Sequence, residues 1–122
     1  MSKLKVYIAG ALNADNCFEF MDNVRLMMYY GNKVREMGAS PFIPCWDVLE
    51  SLMCGNLGDH SDYLESSMEW LKVCDALFVV PNVNNYGSKG LTKELEFCEK
   101  NNIPIIYQTE WEEFIIENNK NP

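Results

Sequence analysis

Five apolar residues stand in succession, Ala76-Leu77-Phe78-Val79-Val80, between Asp75 and Pro81. A run this short and this apolar, bounded by turn formers, is the pattern of a strand buried on both faces of a parallel sheet. A strand with no polar side needs cover above and below it, so helices must pack on both faces. The surrounding chain supplies them. Residues 3–9 read as a first strand ended by Gly10, and Asn13 or Asp15 can cap the helix that follows. Phe20, Val24, Met27, Gly31 and Val34 form one apolar face of that helix, and Gly38 closes it with Lys33 and Arg35 near its negative end. Pro41-Phe42-Ile43-Pro44 is a second, very short strand, confined near a sheet edge by its prolines.

Further along, Cys45-Trp46-Asp47-Val48-Leu49 starts a weak helix running toward Cys54, residues 55–61 are rich in turn formers and suit a mobile loop, and a helix covers about 62–73. Beyond the central strand come a polar loop at 82–87, a helix opened by Ser88, a buried strand at 103–107, an amphipathic helix at 110–118 and a frayed tail. Strand and helix alternate throughout. The expectation is an α/β chain folded as one domain over residues 1–122, an open parallel sheet of four or five strands with helices on both faces, flavodoxin-like or Rossmann-like, joined by right-handed crossovers. Such sheets bind ligands beyond the carboxyl ends of the strands, at the switch point of strand order. Residues 7–13, 44–47 and 81–90 would converge there.

Charge and cysteine content narrow the partners. The net charge of −8 repels nucleic acid and anionic membranes, so neither is an expected partner. A small anion can still bind, because a local nest of backbone N–H groups acts against the global field. Five cysteines without a C-x-x-C pair read as reduced, mostly buried thiols, and with the single histidine, His60, no metal site is expected. The chain shows neither a signal-peptide pattern nor a run of membrane-span length, so the expected compartment is the cytoplasm.

One carboxylate is out of place. On the helix opened by Ser88, with 100° per residue and Leu91 at zero, Leu95 and Cys98 fall within about 40° of Leu91 and Phe97 about 120° to one side. Glu94 lies between Phe97 and Cys98, inside the apolar arc, whereas Glu96 points to solvent. A carboxylate on the buried side of a helix is costly unless paired or used. With Asp75 at the start of the central strand and Tyr7 within the first, it makes a set of two carboxylates and a phenol suited to glycosidic chemistry. Each also has a plainer reading: Glu94 can pair with Lys72 or Lys93, Asp75 can cap the turn into its strand, and Tyr7 can be a half-buried strand aromatic. Ser88 and Gly90 precede free helix N–H groups that suit a phosphate, or form a plain N-cap. The loop is neither a Walker loop nor the dinucleotide fingerprint. Gly10, at the head of the crevice, and Trp46, able to stack on a base or to pack, complete the candidate substrate-binding set. His60 has no assigned role.

In order, Val6-Tyr7-Ile8-Ala9-Gly10, Pro41-Phe42-Ile43-Pro44-Cys45-Trp46, Trp70-Leu71-Lys72-Val73-Cys74-Asp75-Ala76, Ser88-Lys89-Gly90-Leu91-Thr92-Lys93-Glu94 and Ile103-Pro104 make a pattern spanning about residues 3 to 107. This pattern resembles the nucleoside 2-deoxyribosyltransferase superfamily, which includes nucleotide N-glycosidases and small phage or bacterial domains of unknown role. The resemblance implies that Glu94 is the nucleophile, attacking the anomeric carbon to form a glycosyl-enzyme intermediate. It further implies that Asp75 helps protonate the departing base, that Tyr7 hydrogen-bonds the nucleophile, and that Ser88 contacts a 5′-phosphate, favouring a nucleotide. It implies a homo-oligomer, dimer or larger, and no cofactor. Two positions depart from the family. Cys45 stands where related small domains often carry histidine, and nothing places Asn118, Asn119 or Asn121 as the asparagine that transferases lend to a neighbouring subunit. Hydrolysis therefore asks less of the site than transfer. The alternatives are a binding module that captures a nucleotide or nucleotide-derived signal without chemistry and, more remotely, a flavin carrier, whose phosphate loop Gly10-Ala11-Leu12-Asn13 does not match.

Overall fold

The computed structural model describes residues 3–46, 50, 53, 54 and 60–118. Within them, β1 (Lys5–Ala9), β2 (Ser40–Phe42), β3 (Ala76–Val79) and β4 (Ile105–Tyr107) alternate with α1 (Cys17–Glu36), α2 (His60–Leu71), α3 (Lys89–Lys100) and α4 (Trp111–Asn118). The four strands form one parallel sheet in the order β2-β1-β3-β4. The chain steps outward from β1 to β2 and then back across to β3, so strand order switches between β1 and β3.

The central strand behaves as its composition requires: every residue of β3 is buried. Alternation divides the sheet's side chains between two layers. Val6, Ile8, Ala76, Phe78 and Val80 pack with Val24, Met27 and Val34 of α1 and with Trp111 and Ile115 of α4. Tyr7, Ala9, Leu77 and Val79 face the other way, onto Leu71 of α2 and Leu91 and Cys98 of α3. Helices therefore cover both faces.

Local chemistry explains the element ends. Asn16, rather than Asn13 or Asp15, caps α1: its side chain accepts from the Glu19 N–H at 2.9 Å. Gly38 ends the same helix with φ +93°, a conformation that a side chain resists. Gly31 is needed for closeness instead, since a Cβ there would come within 2.5 Å of Ile43 Cδ1. The expected helix from Cys45 toward Cys54 and the turn-rich loop at 55–61 lie largely outside the described residues, as does the tail beyond Asn118. No helix among the described residues is long and apolar enough to cross a membrane.

Candidate functional site

Glu94 is buried, with 6% of its surface exposed, on the inner face of α3 between Leu91 and Cys98. Tyr7 rises from the middle of β1 on the same side of the sheet, wholly buried, and its hydroxyl donates to Glu94 Oε2. Two elements fix this pair. The strand register sets Tyr7 between Phe42 and Leu77, and the Ser88 cap sets the start of α3 and hence the rotation that turns Glu94 inward. The Tyr7 ring stacks on Phe42 at 5.5 Å, and Phe42 on Trp70 at 5.7 Å, which holds the phenol in place from the flank. Ser67 of α2 is buried on the same side and slightly favours the ionised phenol, the opposite direction to the burial and Glu94 effects.

Burial dominates the electrostatics. It pushes the Glu94 carboxyl up to about 7, an effect that the Tyr7 hydrogen bond partly offsets. Burial first, and then the adjacent Glu94 charge, drive Tyr7 far above the usual phenol range, so it stays a donor at any working pH. Cys74 and Cys98, on the same side of the sheet, are each pushed up to about 11 chiefly by burial, so both thiols stay protonated and poorly nucleophilic at neutral pH. The arrangement holds a buried carboxyl, its ionisation raised toward neutrality by that burial, on one phenol donor.

The switch point is built mainly from asparagines. Asn85 accepts from the Ala11 N–H at 2.9 Å and donates to the Val80 carbonyl at 2.8 Å, joining the ends of β1 and β3. Asn23, buried on α1, accepts from Asn82 at 2.8 Å and Asn84 at 3.1 Å and donates to the Leu12 carbonyl at 3.1 Å. The loops after β1 and β3 are thus tied to each other and to α1. Gly10 sits inside this clasp, where a Cβ would lie 3.1 Å from Val80 Cβ. Sequence reasoning missed this set and Ser67. The test applied to Glu94 would have found Asn23, since a polar residue on the buried arc of α1 raises the same question.

Ser88 is the N-cap of α3, with its hydroxyl accepting from the Leu91 N–H at 3.3 Å. Around Gly87, with φ +77°, and around Gly90 the space that a Cβ would enter is open, and the first turn of α3 carries no acid. Trp46 follows β2 and its ring is largely exposed. The structure places Asp75 apart from the Glu94–Tyr7 pair. Asp75 stands at the amino edge of the sheet, where its exposed carboxylate accepts from the Lys5 N–H at 2.8 Å, and so it is not grouped with Glu94 and Tyr7. The reason is directional. In a parallel sheet the residue preceding β3 lies level with the start of β1, the rim opposite the ligand crevice. His60 begins α2. Among the described residues no cluster of His, Cys, Asp and Glu could hold a metal ion.

A shallow groove between α2 and α3, lined by Leu64, Met68, Lys72, Lys93 and Phe97 among others, lies on the outer side of these helices and does not include Glu94. The fold and the buried pair define the class: an open parallel α/β sheet of the flavodoxin- or Rossmann-like kind, with an acid and a phenol joined beneath one helix. Neither a scan against protein-family models nor a search of curated proteins finds a match for the chain.

Proposed function

We propose that this protein cleaves the N-glycosidic bond of a nucleotide or deoxynucleotide through a covalent intermediate on Glu94. The observation that carries this reading is the buried Glu94 carboxyl bonded by the Tyr7 hydroxyl, with an ionisation near neutrality. In the first step Glu94 attacks C1′ of the sugar, and the C1′–N bond breaks. The electron pair leaves with the base, which takes a proton. In the second step water attacks C1′, its proton is released, and the ester bond to Glu94 breaks, giving the free sugar and the carboxylate. With Asp75 on the opposite rim, the departing base draws its proton from solvent in this scheme. Tyr7 orients the attacking oxygen. Ser88, Gly90 and the first N–H groups of α3 hold the phosphate, the N–H groups donating to its oxygens, and Trp46, exposed after β2, is the candidate to stack on the base.

Incubation with ribo- and deoxyribonucleoside monophosphates, followed by chromatography for free base, is the direct test. Base release that disappears in Glu94→Ala, with nucleotide binding retained, is the expected result. Full activity in Glu94→Ala refutes the nucleophile. The second reading, a nucleotide-binding module without chemistry, draws on the displacement of Asp75, which leaves the site without its expected second acid. Tight binding with no base released from any nucleotide would favour it.

A further inference from the structure

The two loops at the switch point share one buried anchor. Asn23 of α1 is 3% exposed. Its amide oxygen accepts from Asn82 at 2.8 Å and from Asn84 at 3.1 Å, both in the loop after β3. Its amide nitrogen donates to the Leu12 carbonyl at 3.1 Å, in the loop after β1. One side chain therefore holds both loops against α1.

From there a series of hydrogen bonds runs to the start of α3. Asn82 accepts from the Asn84 N–H at 2.9 Å, which closes the turn between them. Asn85, tied to the ends of β1 and β3, accepts at its carbonyl from the Ser88 N–H at 3.1 Å. Ser88 then caps α3. Where Asn23 holds the loop thus decides where the first N–H groups of α3 stand relative to the sheet.

Stability does not call for this arrangement. Asn84 is exposed and Asn82 half-buried, so water can serve both amides. An apolar side chain at position 23 would fill the same place on α1 without desolvating an amide. What the buried amide adds is geometry, because a satisfied polar network in a low-dielectric setting is rigid and specific about its partners. Asn23 is also remote from the chemistry: α1 packs on the layer of Val6 and Ile8, whereas Tyr7 and α3 belong to the opposite layer. We infer that Asn23 is a positioning residue, which sets affinity for the phosphate end of the substrate through the loop after β3 without touching the ligand. This inference rests on the nucleotide reading proposed above.

Calorimetry with a nucleoside monophosphate and with the matching nucleoside tests it, alongside KM and kcat for base release. Asn23→Ala should weaken nucleotide binding and raise KM at least about 10-fold, since a displacement of about 1 Å can cost about 100-fold. Its kcat and the pH midpoint of its rate should match the wild type, as should its affinity for the nucleoside, which lacks the phosphate. Asn23→Asp keeps an oxygen for Asn82 and Asn84 and should restore most of the affinity. Asn84→Ala, at an exposed position, should show a smaller loss in the same direction, and it decides the matter if Asn23→Ala does not fold. Nucleotide affinity unchanged in Asn84→Ala and Asn23→Ala overturns the inference. So does an equal loss for nucleotide and nucleoside, the mark of a merely structural role, or a wild type that binds no nucleotide. Cleavage fails separately: if the wild type binds nucleotide and releases no base, the calorimetry alone still decides the role of Asn23.

Discussion

At the scale of single residues, the properties of Glu94 follow from where its carboxylate is held. A folded-state value of about 7 against an ordinary 4.5 means that the native protein takes up a proton there before the unfolded chain does. The stabilisation tied to that proton is fully present below pH 4.5 and is lost as pH rises through 7, a fall on the order of 3 kcal/mol from this group. Urea denaturation at pH 5 and pH 8 should show that fall in the wild type, and a much flatter response in Glu94→Gln. Activity should have the opposite sign, because only the ionised carboxylate attacks. Base release should rise with pH to a plateau with a midpoint near 7, and Glu94→Ala should lower the plateau at least about 10³-fold. Tyr7→Phe removes the hydrogen bond that lowers the Glu94 value, so its rate profile should have a midpoint above that of the wild type. Glu96, exposed two residues on, is the silent control for both measurements.

At the scale of elements, the loop after β3 matters more than its polarity suggests. Asn85 satisfies the Ala11 N–H and the Val80 carbonyl where β1 and β3 end, so Asn85→Ala leaves two partly buried backbone groups unpaired. The expected cost is about 1–3 kcal/mol, measured by chemical denaturation. Faster hydrogen exchange at Ala11 and at the amides of the loop after β3 should accompany it. Much of the element order was legible in advance. The apolar run of β3, the 3.6-residue period of α1 and the glycine that stops α1 are local signals, and local physics reads them. The asparagine clasp was not legible as a unit, because its members are 59 to 74 positions apart in their cross-chain bonds and meet only when strand order reverses. The same holds for Glu94 and Tyr7, 87 positions apart, which share a hydrogen bond only because α3 and β1 face one another.

At the scale of the whole molecule, one core lies on each face of the sheet, and the final helix belongs to the first of them. Trp111 packs edge-on against Phe78 at 5.4 Å and is nearly buried. Trp111→Ala should therefore destabilise the fold by about 3–5 kcal/mol, whereas Trp46→Ala, at an exposed ring, should cost little in the same denaturation experiment. The chain by itself indicated the fold class, because a five-residue apolar run in a chain where strand and helix alternate fits a parallel-sheet strand covered by helices on both faces. It also determined that Glu94 would point inward, since helical periodicity is a property of neighbouring residues. Only the tertiary structure decided what Glu94 would meet. Tyr7 reaches it because the strand register brings the middle of β1 beneath α3. Asp75 does not join them, because a parallel strand begins at one rim of the sheet and its ligand crevice opens at the other. Propensity acts over a few residues and leaves no trace of direction across a sheet, so which side chains share a site is settled when the strands pair.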